Sequence, residues 1–296
     1  MVGADTAKAE REPASAVIVP GAFQFDLACD AAVYRLFVSK PETPPPPGGY
    51  PVIYALDGNA HFLSLVASAR AQSARPDVTG TEPGVIVAIG YPIDGDIDFE
   101  RRVLDFTPSV STGQLGNLPG GRHWPATGGA VRLIRRIEQH IKPAIEALLP
   151  IDRSRQSLFG HSLGGLFTLS LALTEPQLFA NYFASSPSLW FGQKHAFTLL
   201  ADAERRLQVS DRPVHITLSA GGTEGARPAG EKKRSEDMAA WARGNDMLGN
   251  LRNMRDRLLA FPRGVLTLHY HEFEGEHHGS APVVAINRAI AVAFKS

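Results

Sequence analysis

Two short runs, "PVIYAL" at 51–56 and "GVIVAIGY" at 84–91, are apolar almost throughout and are bounded by turn residues. A strand with one face in water alternates apolar and polar side chains. A run without that alternation reads as a strand covered on both faces, as in the centre of a parallel sheet. The segment between them, "AHFLSLVASARAQ", has the length of a helix, so the three make a β-α-β unit. The pattern recurs downstream with "SLF" as a short strand, "GGLFTLSLALTEP" as a helix and "ANYFASS" at 180–186 as a strand. "VHITLSAGG" at 214–222 and "GVLTLHY" at 264–270 complete the strand set. Strands alternating with helices predict an α/β fold with a mostly parallel central sheet, helices on both faces, and ligands at the carboxyl ends of the strands.

The remaining segments fit that frame. "AVYRLFVSK" at 32–40 is a strand that ends at "PETPPPPGG", which neither a helix nor a central strand can cross. Ile134, Ile137, Ile141, Ile145 and Leu148 recur at helical spacing, with a bend expected at Pro143. Leu248, Leu251, Met254 and Leu258 line a second helix, and Val283, Ile286, Ile290 and Phe294 line a C-terminal one. Residues 108–129 have no periodicity, and a loop of that length inside a compact domain is usually functional or disordered. Residues 1–15 read as a loose leader and 16–296 as a single domain.

Thirty basic and thirty acidic residues cancel, so no net field draws the chain to nucleic acid or to a membrane surface. The expected partner is a small molecule, and nothing in the sequence sets an oligomeric state. The single cysteine, Cys29, cannot form an internal disulfide or a cysteine-based metal site, and no metal is expected. No segment reaches the roughly 20 apolar residues of a membrane span. The first residues lack the apolar core of a signal peptide, so a cytoplasmic location is expected, or a periplasmic one if a leader has been removed.

Ser162 stands in "GHSLGG", between a strand and an apolar helix. A serine becomes a nucleophile only if a base takes its proton and its oxygen stands clear of the backbone. Gly160 and Gly164 would allow the sharp turn that exposes it, although the same pattern also occurs as a plain glycine-rich bend. In the chain order serine, acid, histidine, the base belongs after the last strand, where "EFEGEHHGSAP" offers His277 and His278. His278, ahead of Gly279, is the choice, since the glycine can let the loop turn the ring inward. His61, His123, His161, His269 and His271 read as strand or loop residues without a visible partner. Glu224, just past "VHITL", is the acid candidate; Asp237 and Asp246 compete with it, as does a Ser-His dyad without an acid. By position, the amides of Leu163 and Asn59 form the oxyanion hole.

Taken together, "YPVIYALDGNAHF", "ERRVLDFTPS", "SLFGHSLGGLFTLSLAL", "FASSPSLWF" and "GEHHGS" resemble the putative esterase (esterase D-like) family of α/β-hydrolases. Within it the likeness is to esterases that cut the trilactones of enterobactin, salmochelin or bacillibactin, and it runs from about residue 30 to the C-terminus. The resemblance implies a serine hydrolase that needs no cofactor, with Ser162, His278, Asn59 and Leu163 in the roles above. It also matches Arg102 to an arginine near the substrate pocket, where a guanidinium could meet a catecholate oxygen; an ion pair with Asp105 or another carboxylate is the alternative. His123, Trp124 and Trp190 are the expected pocket walls, and "EKKRSE" with Arg122 an expected positive rim. A ferric siderophore is the implied substrate. The alternatives are a general carboxylesterase on small acyl or carbohydrate esters, and a ligand-binding relative without catalysis.

Overall fold

The computed structural model describes residues 15–116, 118–210, 214–224 and 236–296. All but the last residue of the expected leader therefore lies outside the described residues. The strands are β1 Ala22–Cys29, β2 Ala32–Ser39, β3 Tyr50–Leu56, β4 Val85–Gly90, β5 Ile151–His161, β6 Asn181–Ser185, β7 His215–Gly221 and β8 Thr267–Phe273. They form one sheet in the order β1-β2-β4-β3-β5-β6-β7-β8. β2 runs antiparallel to β1 and β4, and the remaining pairs are parallel.

The helices are α1 Gly58–Ser73, the single turn α2 Pro76–Thr79, α3 Phe99–Phe106, α4 Ala130–Arg136, α5 Lys142–Leu148 and α6 Leu163–Thr174. They continue with α7 Phe191–Thr198, α8 Leu200–Gln208, α9 Glu236–Asn245, α10 Met247–Leu259 and α11 Ala281–Ala293. Successive side chains of a strand point to opposite faces, and β3 divides accordingly. Val52, Tyr54 and Leu56 join the cluster built with α3, α6 and α10, whereas Ile53 and Ala55 join the one built with α1 and α11. Both faces are covered, which is why the run carries no polar residue. Among the described residues no helix is long and apolar enough to cross a membrane.

Several expectations shift. The edge strand β1 was not anticipated, although Phe25, Leu27 and Cys29 alternate along it and it returns into β2 through Asp30 at φ 54°. The short α3 was also missed; Asp98 caps it by accepting the Arg101 amide at 3.0 Å. The last strand lies three residues later than expected, because its apolar character is weak and its pairing with β7 decides its bounds. Before Pro143, residues Ile137–Ile141 form a π-turn, and the proline falls in the first turn of α5. A proline there has no amide to donate and crowds the preceding turn, which the wider π geometry relieves. Leu148 and Val283 are exposed, since each lies off its helix's packed stripe.

β5 turns into α6 at Ser162. A Cβ on Gly160 would lie 2.1 Å from the Gly164 carbonyl oxygen, and one on Gly165 would lie 2.6 Å from the Ser185 oxygen. Gly164 itself has room, its nearest neighbour being the Leu56 Cβ at 3.5 Å. The tight pair is thus Gly160 and Gly165, and it is the carbonyl of Gly164 that needs Gly160 bare. We expect Gly160→Ala to cost about 3 kcal/mol or more through overpacking, and Gly164→Ala to stay within about 1 kcal/mol of the parent, as helix propensity favours alanine. Equilibrium unfolding of the two variants is the check, and equal losses would contradict this account of the turn.

Candidate active site

The parallel strands end in register: His161 pairs with Ser185, Ser185 with Ser219, and Ser219 with His271. The loops leaving β5, β6, β7 and β8 therefore meet at one edge of the sheet. Ser162 sits at the first of them with φ 61° and ψ −116°. That strained conformation is held by its own hydrogen bonds: the Ser162 amide donates to the Ser185 carbonyl at 2.9 Å, and its carbonyl accepts from Leu166 at 2.9 Å and Ser188 at 3.1 Å. The hydroxyl is left projecting from the turn.

His278 lies past β8, with Nε2 3.1 Å from Ser162 Oγ and Nδ1 2.9 Å from Glu224 Oε2. Residues separated by 116 positions are thereby joined in one hydrogen-bond chain. The loop carrying the ring is clamped to the turn after β7: Gly222 donates to the Phe273 carbonyl at 2.7 Å, and the Thr223 amide and hydroxyl donate to the Glu276 carbonyl at 3.0 and 2.7 Å. A Cβ on Gly221 would come within 2.5 Å of that carbonyl, so the approach needs a glycine. The left-handed residue of the loop is Gly275, at φ 76°, rather than Gly279. His277, the rival base, is exposed, and its Nδ1 accepts the Gly279 amide at 3.1 Å.

Glu224 is buried. Its second oxygen, Oε1, accepts the Gly221 amide at 2.8 Å and the Ser186 hydroxyl in a short bond. Burial pushes the carboxyl up, but the hydrogen bond and charge of His278, then Ser186 and the Gly221 amide, outweigh it and hold it below the ordinary glutamate value. It is therefore ionised near neutrality. Of its rivals, Asp246 is spent as the N-cap of α10, accepting the Gly249 amide at 3.2 Å. The Asp237 side chain lies outside the described residues, as does most of the "EKKRSE" rim; Arg122 is exposed.

Leu163 and Asn59 lie in the first turns of α6 and α1, where amides have no acceptor inside the helix. β3 and β5 are adjacent, pairing Ala55 with Phe159, so the two helix starts leave the sheet side by side. The Asn59 side chain fixes its own loop: its oxygen accepts the Tyr91 amide at 2.9 Å and its nitrogen donates to the Tyr91 carbonyl at 3.1 Å.

Arg102 forms the ion pair that was the alternative to a substrate contact. Its Nε and Nη2 bond both oxygens of Asp57 at 3.0 and 2.9 Å, and both side chains are buried. The partner is not Asp105, which instead accepts from Tyr34 at 2.9 Å and Tyr91 at 3.3 Å. The guanidinium serves the start of α1, because a buried carboxylate needs a paired cation. His161, read as unpartnered, is buried against the site: its ring centroid is 4.6 Å from that of His278, and Nδ1 is 3.2 Å from Ser185 Oγ. Burial drives it well below the ordinary histidine value, helped by His278, His61 and Arg102 and opposed by a hydrogen bond to the His278 main chain, so the ring is neutral.

The chain's three tryptophans converge beside this edge. Trp190 packs 6.1 Å from Trp124 and 5.2 Å from Trp241, and Trp124 is edge-on to Phe191 at 5.6 Å. Trp124 and the exposed His123 also line a cavity of about 400 Å³ with Val110, Leu115, Pro125 and Thr127. Trp241, Ser186 and Ser188 were not singled out from sequence. The serine-rich "ASSPSLW" at the end of β6 was the available signal, since it leaves the sheet on the same edge as Ser162.

A family model described as "Putative esterase" matches residues 32–287. The ferri-bacillibactin esterase BesA of Bacillus subtilis strain 168 is 38% identical over 261 residues, covering 88% of this chain and 84% of the relative. The siderophore triacetylfusarinine C esterase of Aspergillus fumigatus is 32% identical over 257 residues, covering 84% of this chain and 82% of the relative. Among solved structures, the BES protein of Bacillus cereus superposes with a TM-score of 0.84 at 33% identity, over 96% of this chain and all of that one.

Two tests follow from the electrostatics. Replacing Arg102 by alanine strands a buried carboxylate, and a loss of about 3 to 5 kcal/mol in unfolding free energy is expected; unchanged stability would mean that the pair does not hold α1. Glu224 has a lowered folded-state pKa, so its contribution is present above the ordinary carboxylate range and is lost as pH falls through the lowered value. The difference in Tm between the parent and Glu224→Gln should thus be widest near neutral pH and close in acid, which calorimetry across pH can read.

Proposed function

Because the chain belongs to the putative esterase family of α/β-hydrolases, we propose that it is a serine esterase acting on the trilactone backbone of a ferric catecholate siderophore. The observation that carries the reading is the chain Ser162–His278–Glu224 at the carboxyl edge of the sheet. Ionised Glu224 accepts from Nδ1–H, which leaves Nε2 bare to take the Ser162 proton as Oγ attacks an ester carbonyl. The amides of Leu163 and Asn59 receive the tetrahedral oxyanion. Collapse of the intermediate expels the alcohol, protonated from Nε2, and leaves the acyl group on Oγ. Water, deprotonated by the same nitrogen, then attacks the acyl-enzyme and frees Ser162.

Substrate class is supported by two lines. The named activities of the relatives above are siderophore esterases. The wall of Trp124, Trp190 and Trp241 also offers ring faces on which catechol groups can stack.

The test combines intact mass after fluorophosphonate treatment with turnover of ferric enterobactin, iron-free enterobactin and p-nitrophenyl butyrate. Labelling is expected in the parent, absent in Ser162→Ala, and slowed roughly a thousand-fold or more in His278→Ala. Trp190→Ala should raise KM for enterobactin and leave the small ester unaffected. Labelling without trilactone cleavage would keep the mechanism and move the substrate to other esters; an unlabelled parent would defeat the enzyme reading.

A further inference from the structure

The last residue of β6 and the loop that follows it send one hydroxyl to each part of the site. Ser185 Oγ meets the ring of His161, Ser186 Oγ donates to Glu224, and Ser188 Oγ lies 3.4 Å from Ser162 Oγ. All three serines are buried. Ser186 takes φ 43°, an unusual conformation for serine, and its amide donates to the Ser219 carbonyl at 2.6 Å. Ser188 is then tied to the nucleophile's own backbone, donating its amide to the Ser162 carbonyl at 3.1 Å. The segment is therefore built onto the elbow on both sides of Pro187.

The direction of the Ser188–Ser162 hydrogen bond follows from the rest of the chain. Glu224 presents a carboxylate oxygen to Nδ1 of His278, so Nδ1 carries the proton. Nε2 is then an acceptor and can take only the hydroxyl hydrogen of Ser162. With its one proton committed there, Ser162 Oγ has only lone pairs left for Ser188, which must be the donor. At 2% exposure, Ser188 has little access to water as an alternative acceptor.

Resting on the reading of Ser162 as nucleophile, we propose that Ser188 is a further catalytic residue, whose hydroxyl donates to the attacking and departing Ser162 oxygen. During acylation the Oγ–H proton moves to His278 Nε2, the Oγ–C bond forms and the carbonyl π pair moves onto the oxyanion; its return breaks the bond to the alcohol, which leaves with the Nε2 proton. Negative charge on Oγ is met throughout by the Ser188 O–H, which keeps its own proton. In deacylation a water proton moves to Nε2, water oxygen bonds the acyl carbon, and the Oγ–C bond then breaks. Oγ departs as an incipient alkoxide, again held by Ser188, and recovers its proton from Nε2. A hydrogen bond to an oxygen gaining charge strengthens as the charge grows, so it lowers the barrier more than it stabilises bound substrate.

The experiment compares the full-length parent with Ser188→Ala, Ser188→Val and Ser188→Thr, using p-nitrophenyl butyrate turnover, fluorophosphonate labelling rate and thermal unfolding. Alanine and valine are expected to lower kcat and the labelling rate together, by about ten- to a hundred-fold, with KM within about twofold and Tm little changed. Threonine restores the hydroxyl and should recover most of both rates. Alanine retaining kcat and labelling within twofold overturns the proposal. Threonine and valine falling alike also overturns it, since packing would then explain the loss. An unlabelled parent would instead remove the nucleophile, and this role with it.

Discussion

The height of the Ser162 hydroxyl above the sheet is set by the contact between Gly160 and the carbonyl of Gly164. β5 can pass into α6 within a single residue only because the strand comes this close to the helix's first turn. The consequence is a serine in a backbone conformation that side chains disfavour by about 1 to 3 kcal/mol. Three backbone hydrogen bonds hold it there, one to the last residue of β6 and one from the loop after it. The strained turn and the in-register strand ends are one arrangement, because the parallel pairing of His161 with Ser185 is what brings that loop alongside.

The polar groups around the serine follow from the same geometry. A carboxylate as buried as Glu224 is tolerable only with its oxygens satisfied, and each is: one by His278, the other by Ser186 and the Gly221 amide. Those partners also fix which nitrogen of His278 bears the proton. His161, neutral and packed against that ring, adds contact without adding a competing charge. Orientation of the His278 ring is thus distributed over three loops rather than assigned to one residue.

A second buried network anchors the edge from below. Arg102 and Asp57 pair at the foot of α1, whose first turn carries the Asn59 amide. The next turn of α3 supplies Asp105 to Tyr34 and Tyr91, with Arg101 lying over both rings at 5.0 and 4.4 Å and Arg136 donating to the Tyr34 hydroxyl at 3.0 Å. Burial pushes the Asp105 carboxyl up against the pull of the tyrosines and arginines. The charged stretch "ERRVLDF" thereby ties α3 and α4 to β2 and to the residue after β4.

Much of this was legible in the linear order of residues. Continuous apolar runs announced strands covered on both faces, and "GHSLGG" between a strand and an apolar helix announced the turn at Ser162. Chain order put candidates after β7 and β8, where Glu224 and His278 meet, because a parallel sheet delivers every strand end to the same edge. The weakly apolar β8, the edge strand β1 and the capped α3 were blurred, since pairing and packing set their limits more than local preference does. Apart from the expected grouping of Ser162, His278 and Glu224, partnership was not legible. Arg102 beside Asp57 rather than Asp105, His161 beneath His278, Ser188 against Ser162 and three tryptophans in one wall are contacts between residues far apart in sequence. Sequence determines which groups each loop carries and on which edge they emerge. Only the tertiary structure decides which of them touch, because burial drives charged groups such as Glu224 to pair with whatever the other loops bring.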